Sequence, residues 1–248
     1  MTNEKAAIIL AAGKGKRMKS GLPKVLHRIN DKPIIRILME TLAELSLDKL
    51  VIVIGFKGEL VERELHDFEA KFVWQKEQLG TGHAVQMTRE SFEDFNGTVL
   101  VAAGDVPFLS AKSIDRLFEV HHQNSASATC LSAEFDDPSG YGRIIREGKS
   151  DILLDIIEDK DADRKTKEIN EINSGTFCFN CRDLFDALDQ VSNNNVQQEY
   201  YLTDTIKILQ QSGKKCAVTK VANNLEVAGI NSIEQLKSLE EAINNKQS

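Results

Sequence analysis

"ILAAGKGKRMKSGLPK", residues 9–24, leaves an apolar run and enters a loop of glycines and cations. The run that delivers it, KAAIIL over residues 5–10, is short, continuous and apolar, the pattern of a parallel strand covered on both faces. Beyond the loop, DKPIIRILMETLAELS carries Ile34, Ile35, Leu38, Leu42 and Leu45 at helical spacing, with Asp31 near the N-cap and Pro33 in the first turn. Strand, loop and helix in that order make the first unit of an α/β fold.

The alternation continues. KLVIVIG (49–55), KFVWQ, GTVLVAAGD (97–105) and SATCLSAEF predict strands, and GELVERELHDF, TGHAVQMTRESFED and SAKSIDRLFEVHHQ predict the helices between them. To about residue 135 this predicts a mostly parallel, Rossmann-like sheet flanked by helices, with ligands bound beyond the carboxyl ends of the strands. After that the pattern changes: GRIIREGKSDILLDIIEDKDA predicts a hairpin around Gly-Lys-Ser, and EINSGTFCFN another strand. RDLFDALDQV and TDTIKILQQS predict helices, KCAVTK and NNLEVAG short strands. SIEQLKSLEEAINNKQS predicts a final amphipathic helix with Ile233, Leu236, Leu239 and Ile243 on one face.

In 248 residues, 41% hydrophobic and 28% charged, the composition is that of an ordinary globular protein. No segment approaches the roughly 20 apolar residues of a membrane helix, and the N-terminus lacks a signal-peptide core, so a cytoplasmic location is the default expectation. A net charge of −7 argues against nucleic acid as a partner. Cys178 and Cys181 form a CxxC without a second ligand pair, so buried or incidental thiols are expected at these positions and at Cys130 and Cys216. His121 and His122 read as surface residues, and His83 as packing near a helix start without a chemical role.

Lys14, Lys16, Arg17, Lys19 and Lys24 are therefore a local exception in an acidic chain, which points to a small polyanion such as a phosphate chain. The loop is not a GxxxxGK[ST] phosphate loop, since Gly15 and Gly21 fail the spacing, nor a GxGxxG fingerprint, since Met18 stands where the third glycine belongs. What remains is a turn whose backbone approaches phosphate closely, with Arg17 as a fork and Lys24 as a movable point charge. A solvated basic turn has the same composition. Asp105 ends a buried strand, five residues before Ser110 and too far to cap the helix that starts there.

The loop LAAGKGKRMKSGLPKVL resembles the signature LxxGxGxRMxxxxPKxL of the sugar-phosphate nucleotidyltransferases. It is most similar to the uridylyltransferase domain of the bacterial N-acetylglucosamine-1-phosphate uridylyltransferases. QLGTGHAV (78–85), GDVP (104–107), DDPSGYGRIIRE (136–147), EDKDA (158–162), EINSG (171–175), NNNVQQEYYLTD (193–204) and VAGIN (227–231) follow in family order.

The resemblance implies the nucleotide-diphospho-sugar transferase fold with a small sugar-binding hairpin region. It also implies formation of UDP-N-acetylglucosamine and pyrophosphate from UTP and N-acetylglucosamine 1-phosphate, a step toward peptidoglycan and lipopolysaccharide, with Mg²⁺ as cofactor. Arg17 and Lys24 would be catalytic, and Asp105 and Asn231 the metal ligands. Leu10, Ala11, Ala12, Gly13, Lys24, Gln75, Gly80, Thr81, Ala103, Gly104 and Asp105 would hold the nucleotide. Gly142, Glu158, Asn173, Tyr200, Thr203 and Asn231 would hold the sugar.

Two departures stand out: Ala103 where the family often has a bulky residue, and VAG where it usually has an acidic residue supporting the asparagine turn. The expected organisation is a nucleotidyltransferase domain over 1–231 and a C-terminal helix over 232–248. No left-handed β-helix acetyltransferase domain is read in the chain, and a monomer or weak homo-oligomer is expected. A sister transferase using another sugar phosphate or nucleotide, and a non-catalytic nucleotide-sugar sensor, are the competing readings.

Overall fold

The computed structural model describes residues 4–247, the side chains of Lys16 and of residues 242–247 excepted. β1 (Lys5–Ala11) leads into the loop, and β2 (Arg28–Ile29) and β3 (Lys32–Pro33) form a small hairpin before α1 (Ile34–Ala43). β4 (Lys49–Ile54), α2 (Gly58–Glu64), β5 (Lys71–Trp74), α3 (Thr81–Gln86), β6 (Thr98–Ala103), α4 (Ala111–Gln123) and β7 (Ala128–Glu134) then alternate. The second half holds β8 (Arg143–Arg146), β9 (Leu153–Ile157), α5 (Arg164–Lys167), β10 (Glu171–Asn180), α6 (Cys181–Leu188), α7 (Asp204–Gln211), β11 (Cys216–Lys220) and α8 (Ile233–Gln247).

The main sheet runs β11-β7-β10-β6-β1-β4-β5. β1 is parallel to both β4 and β6, β4 to β5, and β11 to β7. The apolar run of β1 is explained by its two faces. Ala6 and Ile8 join one core with Val51, Val53, Val99 and Val101, while Ala7, Ile9 and Ala11 join the other with Ile52, Ile54, Leu100 and Ala102. α3, α6 and α7 contribute to the first core, and α1, α2 and α4 to the second. The fold is thus the expected three-layer, mostly parallel α/β sheet.

β10 departs from the parallel run: it is antiparallel to β6 and to β7 and separates them. It follows the β8–β9 hairpin and the single-turn α5 rather than a long crossover helix, and its register shifts between Asn173 and Thr176. The chain leaves β1 toward β4 and β5, then returns to β6 on the other side of β1. The strand order therefore reverses between β1 and β6, the switch point where α/β sheets open a ligand crevice.

Four local expectations are corrected. Asp31 is not a helix cap: with Asn30 it takes the left-handed region, φ 46° and 65°, in the two-residue turn between β2 and β3. NNLEVAG is a 3-10 turn over Asn224–Val227 rather than a strand, because the Asn223 side chain accepts the Leu225 N–H. His121 is buried rather than on the surface, its Nδ1 3.0 Å from Thr129 Oγ1, whereas His122 is exposed but bonded to Thr98 Oγ1. TGHAVQMTRESFED is a short α3 followed by a 3-10 turn, not one helix.

The four cysteines are buried free thiols, as expected. Cys178 packs in one core and Cys181 in the other, so the CxxC sulfurs lie on opposite faces of the sheet. In α8, Leu239 is buried and Ile233 and Leu236 pack beside it. Ile243 lies outside the described side chains.

Candidate active site

The loop after β1 turns at Gly15, φ 64°, where an added Cβ would lie 2.7 Å from Lys24 Cβ. Only glycine lets the two chain segments pass this closely. Lys57 Nζ holds the far side of the loop by donating to Gly21 O at 2.6 Å, and Lys14 Nζ stands 5.3 Å from the centre of the Phe56 ring. On the adjacent strand, Gly104 N–H donates to Leu10 O at 2.9 Å. This bond places Asp105, 8% exposed, directly beside the loop.

Lys24 and Asp105 form an ion pair there. Lys24 Nζ also donates to Asn231 Oδ1 at 3.1 Å. Asn231 comes from the turn ahead of α8, and that turn is fixed from two sides. Ile230 N–H donates to Asp105 O at 3.1 Å, and Asn231 N–H donates to Gln235 Oε1 at 2.8 Å. Gln235 thus supplies support on a turn that carries no acidic residue. Ser110 Oγ, not Asp105, caps α4 by accepting the Ser113 N–H.

Arg17 lines the same cleft, which encloses about 860 Å³ and reaches Gly140, Glu158 and Gln197 on the far side. The loop after β1, the end of β6 and the entry to α8 thereby bring Arg17, Lys24, Asp105 and Asn231 together. The carboxylate and the amide oxygen both face an ammonium, so this corner already accommodates a cation between oxygen donors. That donor set suits a hard divalent ion completed by phosphate and water oxygens.

A second group surrounds Gln75. Its Nε2 donates to Gly80 O and to His83 Nδ1, both at 3.0 Å, which orients the amide carbonyl. Gly80 has φ 114°, and a Cβ there would come within 2.5 Å of Tyr200 O. Thr81 Oγ1 accepts the Leu202 N–H at 3.0 Å. Tyr200 belongs to this group in space: its N–H donates to Leu79 O, its carbonyl accepts the Gly82 N–H, and its ring lies 6.4 Å from His83.

The third group lies on β8, β9, β10 and the segment before α7. Asn173 N–H donates to Gly142 O at 2.8 Å, Thr203 Oγ1 donates to Glu158 Oε1 at 2.9 Å, and Glu158 Oε1 lies 3.6 Å from where a Gly142 Cβ would be. Burial pushes the Glu158 carboxyl up; the Thr203 hydrogen bond opposes this, and Asp204, Asp161 and Glu199 add to it. Burial also raises Asp204, to about 6, helped by Asp155 and Asp161.

Tyr141 was not anticipated as part of the site. Its hydroxyl lies 4.0 Å from where a Gly229 Cβ would be, a point 3.8 Å from Asp105 Oδ2. Burial pushes this phenol up, against a hydrogen bond from Gly229. Its position in the DDPSGYGRIIRE block is the one signal in the sequence that could have pointed to it.

Comparisons place the chain among known proteins. It is 43% identical over 98% of its length to the bifunctional protein GlmU of Heliobacterium modesticaldum, of which it covers 53%. It is 45% identical over 93% of its length to the bifunctional protein GlmU of Streptococcus mutans, of which it covers 50%. The chain thus spans about half the length of these curated relatives. A crystal structure of UDP-glucose pyrophosphorylase complexed with UDP-glucose, 20% identical, superimposes with a TM-score of 0.77 over 98% of this chain and 99% of that one. This likeness shows the shared fold. The MobA-like NTP transferase domain matches residues 7–223, from β1 through β11 and across the loop and strand end that carry Lys24 and Asp105, and the chain belongs to that family.

Proposed function

We propose that this domain is a uridylyltransferase that joins UTP and N-acetylglucosamine 1-phosphate into UDP-N-acetylglucosamine and releases pyrophosphate. The observation that carries the reading is the convergence of Lys24, Asp105 and Asn231, with Arg17 on the same cleft, at the switch point between β1 and β6.

Two anions must meet in this reaction, so charge repulsion and in-line alignment are the main obstacles. An oxygen of the sugar phosphate, already ionised at neutral pH, forms the new bond to the α-phosphorus of UTP. The bond from that phosphorus to the bridging oxygen breaks, and the electron pair leaves with pyrophosphate. No general base is required.

Arg17 and Lys24 neutralise the transferring and leaving phosphates. Asp105 and Asn231 would hold Mg²⁺, which would supply Lewis-acid charge neutralisation there. The backbone from Leu10 to Gly13, with Ala103 and Gly104, leaves room for the nucleotide, and the oriented Gln75 carbonyl, with Gly80 and Thr81, meets the base. Gly142, Glu158, Asn173 and Thr203 meet the sugar, and Tyr200, whose backbone is bonded to Leu79 and Gly82, stands with the Gln75 group. Cytoplasmic action suits such phosphorylated substrates, and among the described residues no helix is long and apolar enough to cross a membrane. The oligomeric reading, a monomer or weak homo-oligomer, is checked by light scattering.

The test is pyrophosphate release with Mg²⁺ from a panel of nucleoside triphosphates and sugar 1-phosphates, compared by kcat/KM. The highest value is expected for UTP with N-acetylglucosamine 1-phosphate. A higher value for another pair replaces these substrates with that pair, which the small side chain of Ala103 would accommodate. Tight nucleotide-sugar binding with no turnover of any pair identifies a sensor instead.

A further inference from the structure

Arg143 is a buried cation that the proposed chemistry does not use. It opens β8, is 2% exposed, and pairs through its backbone with Ile157 and Ile172. One arm of its guanidinium donates to Tyr141 O, and the other donates to Asp159 Oδ1 at 3.1 Å. Its Nε has no partner among the described residues.

Those two anchors are the residue immediately before Gly142 and the residue immediately after Glu158. One planar group therefore ties together the two chain segments that bring Gly142 and Glu158 within reach of each other. A buried ion pair with one donor left unmet is a poor device for stability, since an apolar side chain fills such a site at little or no cost. Two fixed donors in one plane are a good device for holding two strand ends in register, and a lysine offers no such fork.

We infer that Arg143 is a positioning residue for the sugar side of the cleft: without touching substrate, it sets the affinity for the sugar 1-phosphate by holding Gly142 and Glu158 in place. The inference rests on the proposed uridylyltransferase reading. Its test separates the two.

Arg143→Lys keeps the charge and loses the fork, and Asp159→Asn weakens one anchor from its more exposed side while sparing the core. In both variants KM for the sugar 1-phosphate rises about 10-fold or more, while KM for UTP stays within about twofold. Amide hydrogen exchange of the substrate-free protein accelerates at Asn173, whose N–H is bonded to Gly142 O, and across 158–161. Equal shifts of both KM values, or unchanged exchange at Asn173 in folded variants, overturn the inference. Absence of turnover in the wild type overturns the uridylyltransferase reading instead, and the exchange result then decides the role of Arg143 alone.

Discussion

Lys24, in the 3-10 turn that closes the loop after β1, and Asp105, just beyond β6, stand 81 residues apart in the chain and share one ion pair. Each side chain is largely shielded, 19% and 12% exposed, so the pair sits where Coulombic interactions are stronger than in open water. Lys24→Gln removes the charge and keeps a polar end. It is expected to lower kcat/KM for transfer by ~10² or more, about 3 kcal/mol of transition-state stabilisation. Steady-state pyrophosphate release checks this, with melting temperature as the control for folding.

Gly80 provides a backbone test. Its φ of 114° and the 2.5 Å approach of Tyr200 O leave no space for a methyl group. Gly80→Ala is expected to cost about 2–4 kcal/mol in urea unfolding and to weaken nucleotide binding as the Gln75 turn shifts. Wild-type stability in that variant would mean that the turn is not as tight as described.

Much of this was legible in the sequence, for identifiable reasons. The run of β1 announced a strand covered on both faces because its alternate residues do enter two cores. The cationic loop was legible as a local exception in an acidic chain, and Arg17 and Lys24 do line one cleft there; a solvated turn has the same composition, so the ligand itself was not legible. Strand order was not legible: the alternation of β10 is the same whichever strands flank it, so its insertion between β6 and β7 leaves no mark.

Other features were legible but unread. Asn30 and Asp31 form a two-residue hairpin signal. His121 follows Ile114, Leu117 and Phe118 along the buried stripe of α4, so helical spacing alone places it inside. Ser232 and Gln235 form a capping-box pattern, with the Gln235 N–H bonded to Ser232 Oγ and the Gln235 side chain turned back to Asn231.

His121 makes stability depend on pH. Burial, then the nearby His122, lowers its pKa from 6.5 to about 4, against a weaker opposite pull from Asp183. Above pH 6.5 the ring is neutral in both states, and its contribution is whole. As pH falls from 6.5 toward 4, the unfolded chain takes up the proton first, and on the order of 3 kcal/mol is lost. Urea unfolding at pH 7.5 and 4.5 reads this loss, and His121→Asn, which keeps a polar atom for Thr129 but does not titrate, should remove that part of the slope.

Base selection should depend on Gln75. Both protons of its amide are directed at Gly80 O and His83, so the carbonyl is fixed. Gln75→Ala is expected to reduce kcat/KM for UTP by ~10- to 100-fold and to narrow its advantage over other nucleoside triphosphates. A competition assay with mixed nucleotides checks it, and an unchanged preference removes Gln75 from base recognition.

The central claim is that oxygen donors and cations converging on one cleft cancel the repulsion between two anionic substrates. Comparing wild type with Asp105→Asn in pyrophosphate release from UTP and N-acetylglucosamine 1-phosphate across a Mg²⁺ titration tests it most directly. The account predicts saturable, Mg²⁺-dependent release by the wild type and a loss of at least ~10³-fold in the variant, with UTP binding preserved within about tenfold. Release by Asp105→Asn equal to that of the wild type would contradict it.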